Sequence, residues 1–298
     1  MKTSSLELML DSRAFLGEGP AWDSAHQCLY WVDIHAGLLH SFDPLEKRDD
    51  VYNVGQVLGC VAPTSSNGLI LGLKDGFSKF DPSTRQLTFI LKPEPDYPGN
   101  RFNDGKCSPD GRFIAGTVDE AELAASGSLY SLGKAGDVKI LLRGLRISNG
   151  LTWSPDYQTF YFIDTPTRQV LAFDYDLAEG NIENPRTVVA IPESMGWPDG
   201  MTSDEHGNLW IALWGGAAVS IWKPSDGSLL EKITLPAKNV TACCFGGANL
   251  DEVYITSARK GLSTQELVEY PLSGGLFCLK RGVAGIPTFT YDDRLVDE

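Results

Sequence analysis

The sequence has 298 residues, of which 42% are hydrophobic and 21% charged, and its net charge is −14 at pH 7. This composition fits an ordinary globular protein. The acidic balance disfavours nucleic acid as a partner, because a negative surface repels phosphate backbones. Membrane insertion is not expected either, since no run of about eighteen apolar residues occurs.

An internal repeat organises the chain. Each repeat has a polar turn followed by a strand of apolar residues, and in chain order these strands are residues 28–34, 69–73, 112–118, 159–164, 209–213 and 252–256. A second strand follows each of them, and a third often does, as at residues 86–91 and 138–142. A spacing of roughly forty to fifty residues is typical of propeller blades. We therefore predict an all-β, six-bladed β-propeller in which residues 1–298 form a single domain.

The two ends of the chain are expected to close this ring. Residues 6–10 have the pattern of a strand that precedes the first repeat. They are predicted to be the outer strand of the last blade. Helix is expected to be scarce, and residues 119–125, in a loop between strands, are the best helical candidate.

A second pattern lies just before the apolar strand of four repeats. An acidic or amide residue followed by glycine recurs there in one register, at Glu18, Asp104, Asn149 and Asp199. Such pairs are also common turn dipeptides, which is the alternative interpretation. Four occurrences in register favour a shared site, because the loops that enter the inner strands of a propeller converge at one mouth. Repeats two and six lack the pattern.

Converging carboxylates repel one another unless a cation lies between them. Oxygen ligands alone favour Ca²⁺, Mg²⁺ or Mn²⁺, and no histidine falls in this register, so a histidine-rich zinc site is not expected. Beside the third-repeat motif, Arg101 and Asn103 are suited to hold a hydroxylated ligand. The alternative for Arg101 is a surface position. Motifs of serine hydrolases, zinc proteases and nucleotide-binding loops are absent.

With these motifs the chain resembles the senescence-marker-protein/gluconolactonase/regucalcin family. The resemblance rests on residues 16–22, 100–106, 111–117, 148–154 and 198–201 with 207–212. It implies a six-bladed propeller with one divalent metal ion (Ca²⁺, Mg²⁺, Mn²⁺ or Zn²⁺), held by Glu18, Asn149 and Asp199.

The same resemblance implies the substrate contacts. They are Arg101 and Asn103, with Asp104 near the metal in a secondary role. The family often has a further acidic contact in the loop after residue 117, where the register here is ambiguous, and we assign it to Glu120. Trp197 and Trp214 are predicted to lie near the mouth, either stacked on a sugar ring or packed between blades.

The activity that the resemblance implies is hydrolysis of sugar lactones, in which the metal stabilises the oxyanion formed by water attack. Asp199 is the general base that the family implies. Because a metal-bound carboxylate is a weaker base, a water activated by the metal is the alternative. Two other functions stay open: a calcium-binding regulatory propeller without turnover, and a hydrolase of phosphotriesters or aryl esters.

The expected partner is a small-molecule sugar lactone, bound by a monomer. The six cysteines include no C-x-x-C pair. The first residues lack the apolar run of a secretory signal peptide. Reduced thiols and a cytoplasmic location are therefore expected.

Overall fold

Six four-stranded sheets arranged as the blades of a ring make up the fold, as predicted. The computed structural model describes residues 6–294. Its elements are β1 (Glu7–Leu10), β2 (Gly17–Asp23), β3 (Cys28–Asp33), β4 (Leu38–Asp43), β5 (Arg48–Asn53), β6 (Leu58–Pro63), β7 (Leu69–Leu73), β8 (Gly76–Asp81), β9 (Gln86–Leu91), β10 (Asn100–Cys107), β11 (Phe113–Asp119), β12 (Gly127–Leu132), β13 (Val138–Leu145), β14 (Ser148–Trp153), β15 (Thr159–Asp164), β16 (Gln169–Asp176), β17 (Asn181–Ala190), β18 (Trp197–Ser203), β19 (Leu209–Trp214), β20 (Ala218–Lys223), β21 (Ser228–Thr234), β22 (Asn239–Gly246), β23 (Glu252–Ala258) and β24 (Leu276–Lys280).

The first strand of each blade lies innermost. The blades are β2–β5, β6–β9, β10–β13, β14–β17, β18–β21 and β22–β24 with β1. Strands β2, β6, β10, β14, β18 and β22 contact one another in a closed cycle around the centre. Apolar side chains fill the spaces between blades, as where Val32 and Leu39 pack with Leu58 and Leu71. Each blade thereby covers the face that its neighbour would otherwise expose to water.

The ring closes through its N-terminal strand, which confirms the prediction for residues 6–10. Strand β1 pairs antiparallel with β24, with Glu7 opposite Cys278. A second link comes from the C-terminal segment, where the amide of Ile286 donates to Ser203 O at 3.1 Å and that of Tyr291 to Pro63 O at 2.9 Å. Residues 286–289 line a small cavity between the inner strands.

The helical prediction for residues 119–125 is wrong. These residues form a turn, because the side chain of Asp119 accepts hydrogen bonds from the amides of Leu123 and Ala124. Glu122 adopts φ 59°, which a right-handed helix does not allow. Helix in residues 6–294 is limited to Thr264–Glu269 (α1) and two 3₁₀ turns, Thr165–Thr167 and Glu193–Met195. No helix in this part of the chain is long and apolar enough to cross a membrane.

Candidate metal and substrate site

A β-bulge interrupts the innermost strand of every blade, and in four blades it lies at a predicted site residue. The register shifts after Glu18 in β2, after Asn149 in β14, and across Asp104 and Asp199 in β10 and β18. Strands β6 and β22 carry the same irregularity. A bulge turns a side chain away from the regular alternation of a strand. The four residues therefore lie inside the inner strands, and the expectation that they would lie in loops before those strands is corrected.

Close packing of the inner strands explains the recurrent glycines. A Cβ atom at Gly105, Gly150 or Gly200 would lie closer than 3.0 Å to an atom of the next inner strand, and none of the three has a positive φ. The glycines are needed for this close approach and not for a turn. The turn-dipeptide interpretation is therefore wrong for these three motifs. Gly19, at φ 53°, is the exception.

The inner strands surround a cavity of about 400 Å³, a volume within the range of small-molecule sites. Five of the predicted residues line it: Glu18, Arg101, Asn103, Asn149 and Asp199. Lys260, Arg146 and Glu122 add charge to the wall, and Thr165 adds a hydroxyl. The predicted metal ligands and two predicted substrate contacts thus share one space.

Two buried oxygens in this cavity have no hydrogen-bond partner. The amide nitrogen of Asn149 donates to Thr165 Oγ1 at 3.1 Å, and that hydroxyl donates to Pro198 O at 2.9 Å. This arrangement leaves Asn149 Oδ1 without a donor, and Asp199 Oδ1 also has none. Thr165 was missed by the sequence analysis, because nothing in its own repeat indicates a contact with the neighbouring inner strand.

Burial and mutual repulsion act on the two carboxylates. Burial raises the pKa of Glu18 well above its ordinary value, and the nearby Asp199 and Asp104 raise it further. The pKa of Asp199 is also raised well above its ordinary range by burial, with Asp104 contributing. Buried like charges are unfavourable unless a counter-charge compensates them.

The residues present fit a divalent cation. Glu18, Asn149 and Asp199 supply oxygen donors, and two of those oxygens are buried without partners. Hard cations prefer such ligands. Within residues 6–294, no cluster of three or more His, Cys, Asp or Glu side chains has the arrangement of a metal site. The third metal ligand, beside the carboxylates of Glu18 and Asp199, would accordingly be the side-chain amide oxygen of Asn149.

Arg101 is held rigidly beside these donors and is not a surface residue. Its side chain is only 1% exposed. One guanidinium nitrogen donates to Asn103 Oδ1 at 2.7 Å and to Phe102 O at 3.0 Å, and Asn103 in turn donates to Ser148 O at 2.9 Å. Arg101 Nε is buried without a partner. Arg101 also lines the cavity, so it presents its positive charge to a ligand there.

Two predicted residues, Glu120 and Asp104, fall outside the cavity lining. Glu120 pairs with Lys74 Nζ at 2.5 Å, and the neighbouring Glu122 faces the cavity instead. Glu122 lies 2.6 Å from Lys260 Nζ and 3.8 Å from a guanidinium nitrogen of Arg101. Asp104 is buried, and its Oδ1 accepts the amide of Gly105 at 2.7 Å.

Both predicted tryptophans line the cavity. Trp197 is 41% exposed, and the guanidinium of Arg168 lies 3.5 Å from the centre of its ring. Trp214 also packs against an apolar cluster that includes Leu16 and Ile34. Trp197 is therefore partly exposed at the cavity with one ring face covered by Arg168, and Trp214 has both a packing and a lining position.

Known proteins are similar to this chain in sequence and in architecture. A protein-family model described as the SMP-30/Gluconolactonase/LRE-like region matches residues 16–259 of the sequence. The chain belongs to this family. Within the SMP-30/gluconolactonase/LRE-like family, one relative is YvrE of Bacillus subtilis (strain 168), whose name proposes a sugar lactone lactonase. It is 39% identical over 278 residues, which cover 93% of this chain and 95% of YvrE.

Regucalcins are further relatives in the family. Regucalcin of Danio rerio is 35% identical over 294 residues, covering 98% of this chain and 99% of its own. The crystal structure of a calcium-binding protein, regucalcin from Agrobacterium tumefaciens str. C58, has a TM-score of 0.93 and 29% identity, with 98% of each chain covered. The six-bladed architecture is therefore that of this family.

Proposed function

We propose that this protein is a divalent-metal-dependent hydrolase that opens sugar lactones. The observation that carries the proposal is the pair of partnerless buried oxygens, Asn149 Oδ1 and Asp199 Oδ1, beside Glu18 and next to the guanidinium of Arg101. The similarity to YvrE supports the substrate class.

Glu18, Asn149 and Asp199 would hold the cation. When bound, it would supply Lewis-acid stabilisation for the negative charge that develops on the lactone carbonyl oxygen. Thr165 keeps the oxygen of Asn149 directed at the cavity, because its hydroxyl accepts the Asn149 amide. The side chains are thus set before any ligand arrives.

Asp199 would move the proton. Water adds to the carbonyl carbon and gives one proton to Asp199, the ring C–O bond breaks, and the proton passes to the departing ring oxygen. One water is consumed and a hydroxy acid forms. Burial raises the pKa of Asp199 and so strengthens it as a base, whereas a cation acts in the opposite direction.

Arg101 and Asn103 would orient the sugar. The guanidinium of Arg101 lines the cavity and is suited to hydroxyl oxygens, and its hydrogen bond to Asn103 fixes its orientation. Trp197 would offer the ring face that Arg168 leaves uncovered to the apolar side of a sugar ring. These contacts would hold the carbonyl carbon near Asp199.

A second candidate is calcium binding without turnover. It is favoured by the similarity to the Agrobacterium tumefaciens regucalcin, which is described as a calcium-binding protein. The same three oxygen donors would serve it, so the two functions differ only in the chemistry that follows binding.

A substrate screen separates these functions. Acid release is followed at constant pH with aldonolactones, an aryl ester and a phosphotriester, each with Mg²⁺, Ca²⁺, Mn²⁺ or Zn²⁺. The proposal expects metal-dependent turnover of at least one aldonolactone, lost in Asp199→Ala. Calcium binding by calorimetry without acid release from any lactone would favour the binding protein, and turnover of the ester or phosphotriester alone would favour the other hydrolases.

A further inference from the structure

Outside the cavity, a buried carboxylate lies behind the strand that carries Arg101. Glu94 lies in the loop between β9 and β10 and is 7% exposed. Its Oε2 accepts the side-chain amide of Asn100 at 2.9 Å, and its Oε1 accepts the hydroxyls of Thr117 at 2.9 Å and Tyr130 at 2.8 Å. Neither the proposed metal site nor the proposed proton path uses this group.

Asn100 connects this carboxylate to the loop that carries Glu122. Its amide nitrogen also donates to Ser126 O at 3.1 Å, and its Oδ1 accepts the hydroxyl of Ser126 at 2.8 Å. Asn100 lies opposite Asp119 in the sheet, where the loop begins, and Ser126 lies where the loop returns. Asn100 thus joins both ends of the loop, through its backbone at Asp119 and through its side chain at Ser126.

Asn100 immediately precedes Arg101 in the sequence. Arg101 pairs with Val118 across the sheet, one residue before the loop starts. At the loop itself, Glu122 faces Arg101 at 3.8 Å. A displacement of Asn100 would therefore shift the guanidinium and the carboxylate that faces it.

We propose that Glu94 is a positioning residue, which fixes Arg101 and the loop of residues 119–126 through Asn100. The role of Arg101 in holding substrate rests on the proposed lactonase function, whereas the positioning itself does not. We call the hydrogen-bonded side chains of Glu94, Asn100 and Ser126 the clamp. In it, both amide hydrogens and the carbonyl oxygen of the Asn100 side chain have hydrogen-bond partners.

Two substitutions at Glu94 separate hydrogen bonding from packing. Glu94→Leu fills a similar volume but offers Asn100 no acceptor. Glu94→Gln can direct its oxygen at Asn100 and its amide at the two hydroxyls, which are able to accept. Glu94→Leu is expected to raise KM for the aldonolactone about tenfold with a much smaller change in kcat, and Glu94→Gln to restore KM to near the wild-type value.

Tyr130→Phe is the matched control. It removes a hydrogen bond to the other oxygen of Glu94 and leaves the Asn100 link intact. We expect it to lower the Tm without changing KM. Ser126→Ala removes the hydroxyl on the far side of the clamp and is expected to raise KM in the same direction as Glu94→Leu.

A double-mutant cycle tests whether Glu94 acts through Arg101. In an Arg101→Lys background, Glu94→Leu should raise KM far less than in the wild type, because residues that act as a unit are not additive. Full additivity, or an equal rise of KM in Tyr130→Phe, would overturn the proposal.

Hydrogen exchange gives a readout that needs no lactone. The amides of Asn100 and Glu120 are hydrogen-bonded within this region, to Tyr97 O and Gly99 O. Exchange in peptides covering residues 95–103 and 119–126 should be faster in Glu94→Leu and Ser126→Ala, and unchanged in Tyr130→Phe. If the wild type opens no lactone, the proposed function fails, but this exchange pattern still tests whether Glu94 positions the loop. Unchanged exchange in Glu94→Leu would refute that positioning.

Discussion

The amide of Asn149 donates to the hydroxyl of Thr165, and this single hydrogen bond of 3.1 Å determines which end of the amide faces the cavity. Asn149 Oδ1 is consequently left buried and without a donor. Thr165 belongs to the fourth blade, and its hydroxyl reaches Pro198 O in the fifth. The orientation of a proposed metal ligand thus depends on a contact between blades.

Thr165→Val should weaken metal binding. Without the hydroxyl, the Asn149 amide loses the acceptor that fixes its orientation, and affinity for Ca²⁺ or Mn²⁺ is expected to fall about tenfold, as for other partners of metal ligands. Thr167→Val is the matched control, because Thr167 lies in the same turn and its hydroxyl bonds only to Asp164 O and the amide of Gln169. Calorimetric titration of both variants checks this; equal affinities would contradict it.

Asp199→Asn should stabilise the metal-free protein while removing its response to metal. Burial raises the pKa of Asp199 in the folded state. The folded chain then binds the proton more tightly than the unfolded chain. The stability of the fold therefore decreases as pH rises from the unfolded pKa of Asp199 through its folded pKa. At pH 7 in a chelator, the Tm of Asp199→Asn is expected to exceed that of wild type, and added Ca²⁺ should raise only the wild-type Tm.

Deletion of residues 1–10 should destabilise the ring. It removes β1, whose Leu8 packs against the apolar cluster that contains Phe277, and it exposes the edge of β24. We expect the Tm to fall by about 10 °C or more. Deletion of residues 1–5 is the control, since it leaves β1 intact, and an unchanged melting curve for the longer deletion would contradict closure by β1.

His35 should titrate below its ordinary range. Burial lowers its pKa, and Arg101 and Lys260 lower it further, against the opposing effect of Glu120 and Glu122. The unfolded chain therefore takes up this proton more readily, so the contribution of His35 to stability is present above about pH 6.5 and is lost as pH falls through the folded pKa. NMR titration of the imidazole checks the direction, and a pKa at or above the ordinary value would contradict this lowering by burial and the two cations.

The architecture and seven of the fifteen residues that line the cavity could be predicted from the sequence. The repeat and its register were enough to predict the ring, the closing strand and the shared space of Glu18, Asn149 and Asp199. The motifs themselves were placed in loops, because a bulge disrupts the alternation by which a strand is recognised. Their glycines cannot be distinguished from turn glycines in the sequence. What distinguishes them is the close approach of a neighbouring strand, which only the structure shows.

Contacts between distant segments could not be predicted. Glu122 replaces Glu120 at the cavity because Asp119 bends the loop into a turn, and this bend depends on side-chain hydrogen bonds. The pairing of Glu122 with Lys260 joins the third and sixth blades. Neither partner carries a local pattern that points to the other.

In the proposed function, the cavity oxygens of Glu18, Asn149 and Asp199 hold one divalent cation on which lactone opening depends. The most direct measurement is acid release from an aldonolactone by protein stripped with a chelator and then titrated with Mn²⁺ or Ca²⁺, beside Asp199→Ala treated identically. We expect the stripped protein to be inactive, activity to return with one equivalent of metal, and Asp199→Ala to stay inactive while folded by circular dichroism. Equal rates before and after stripping, or full activity in Asp199→Ala, would contradict it.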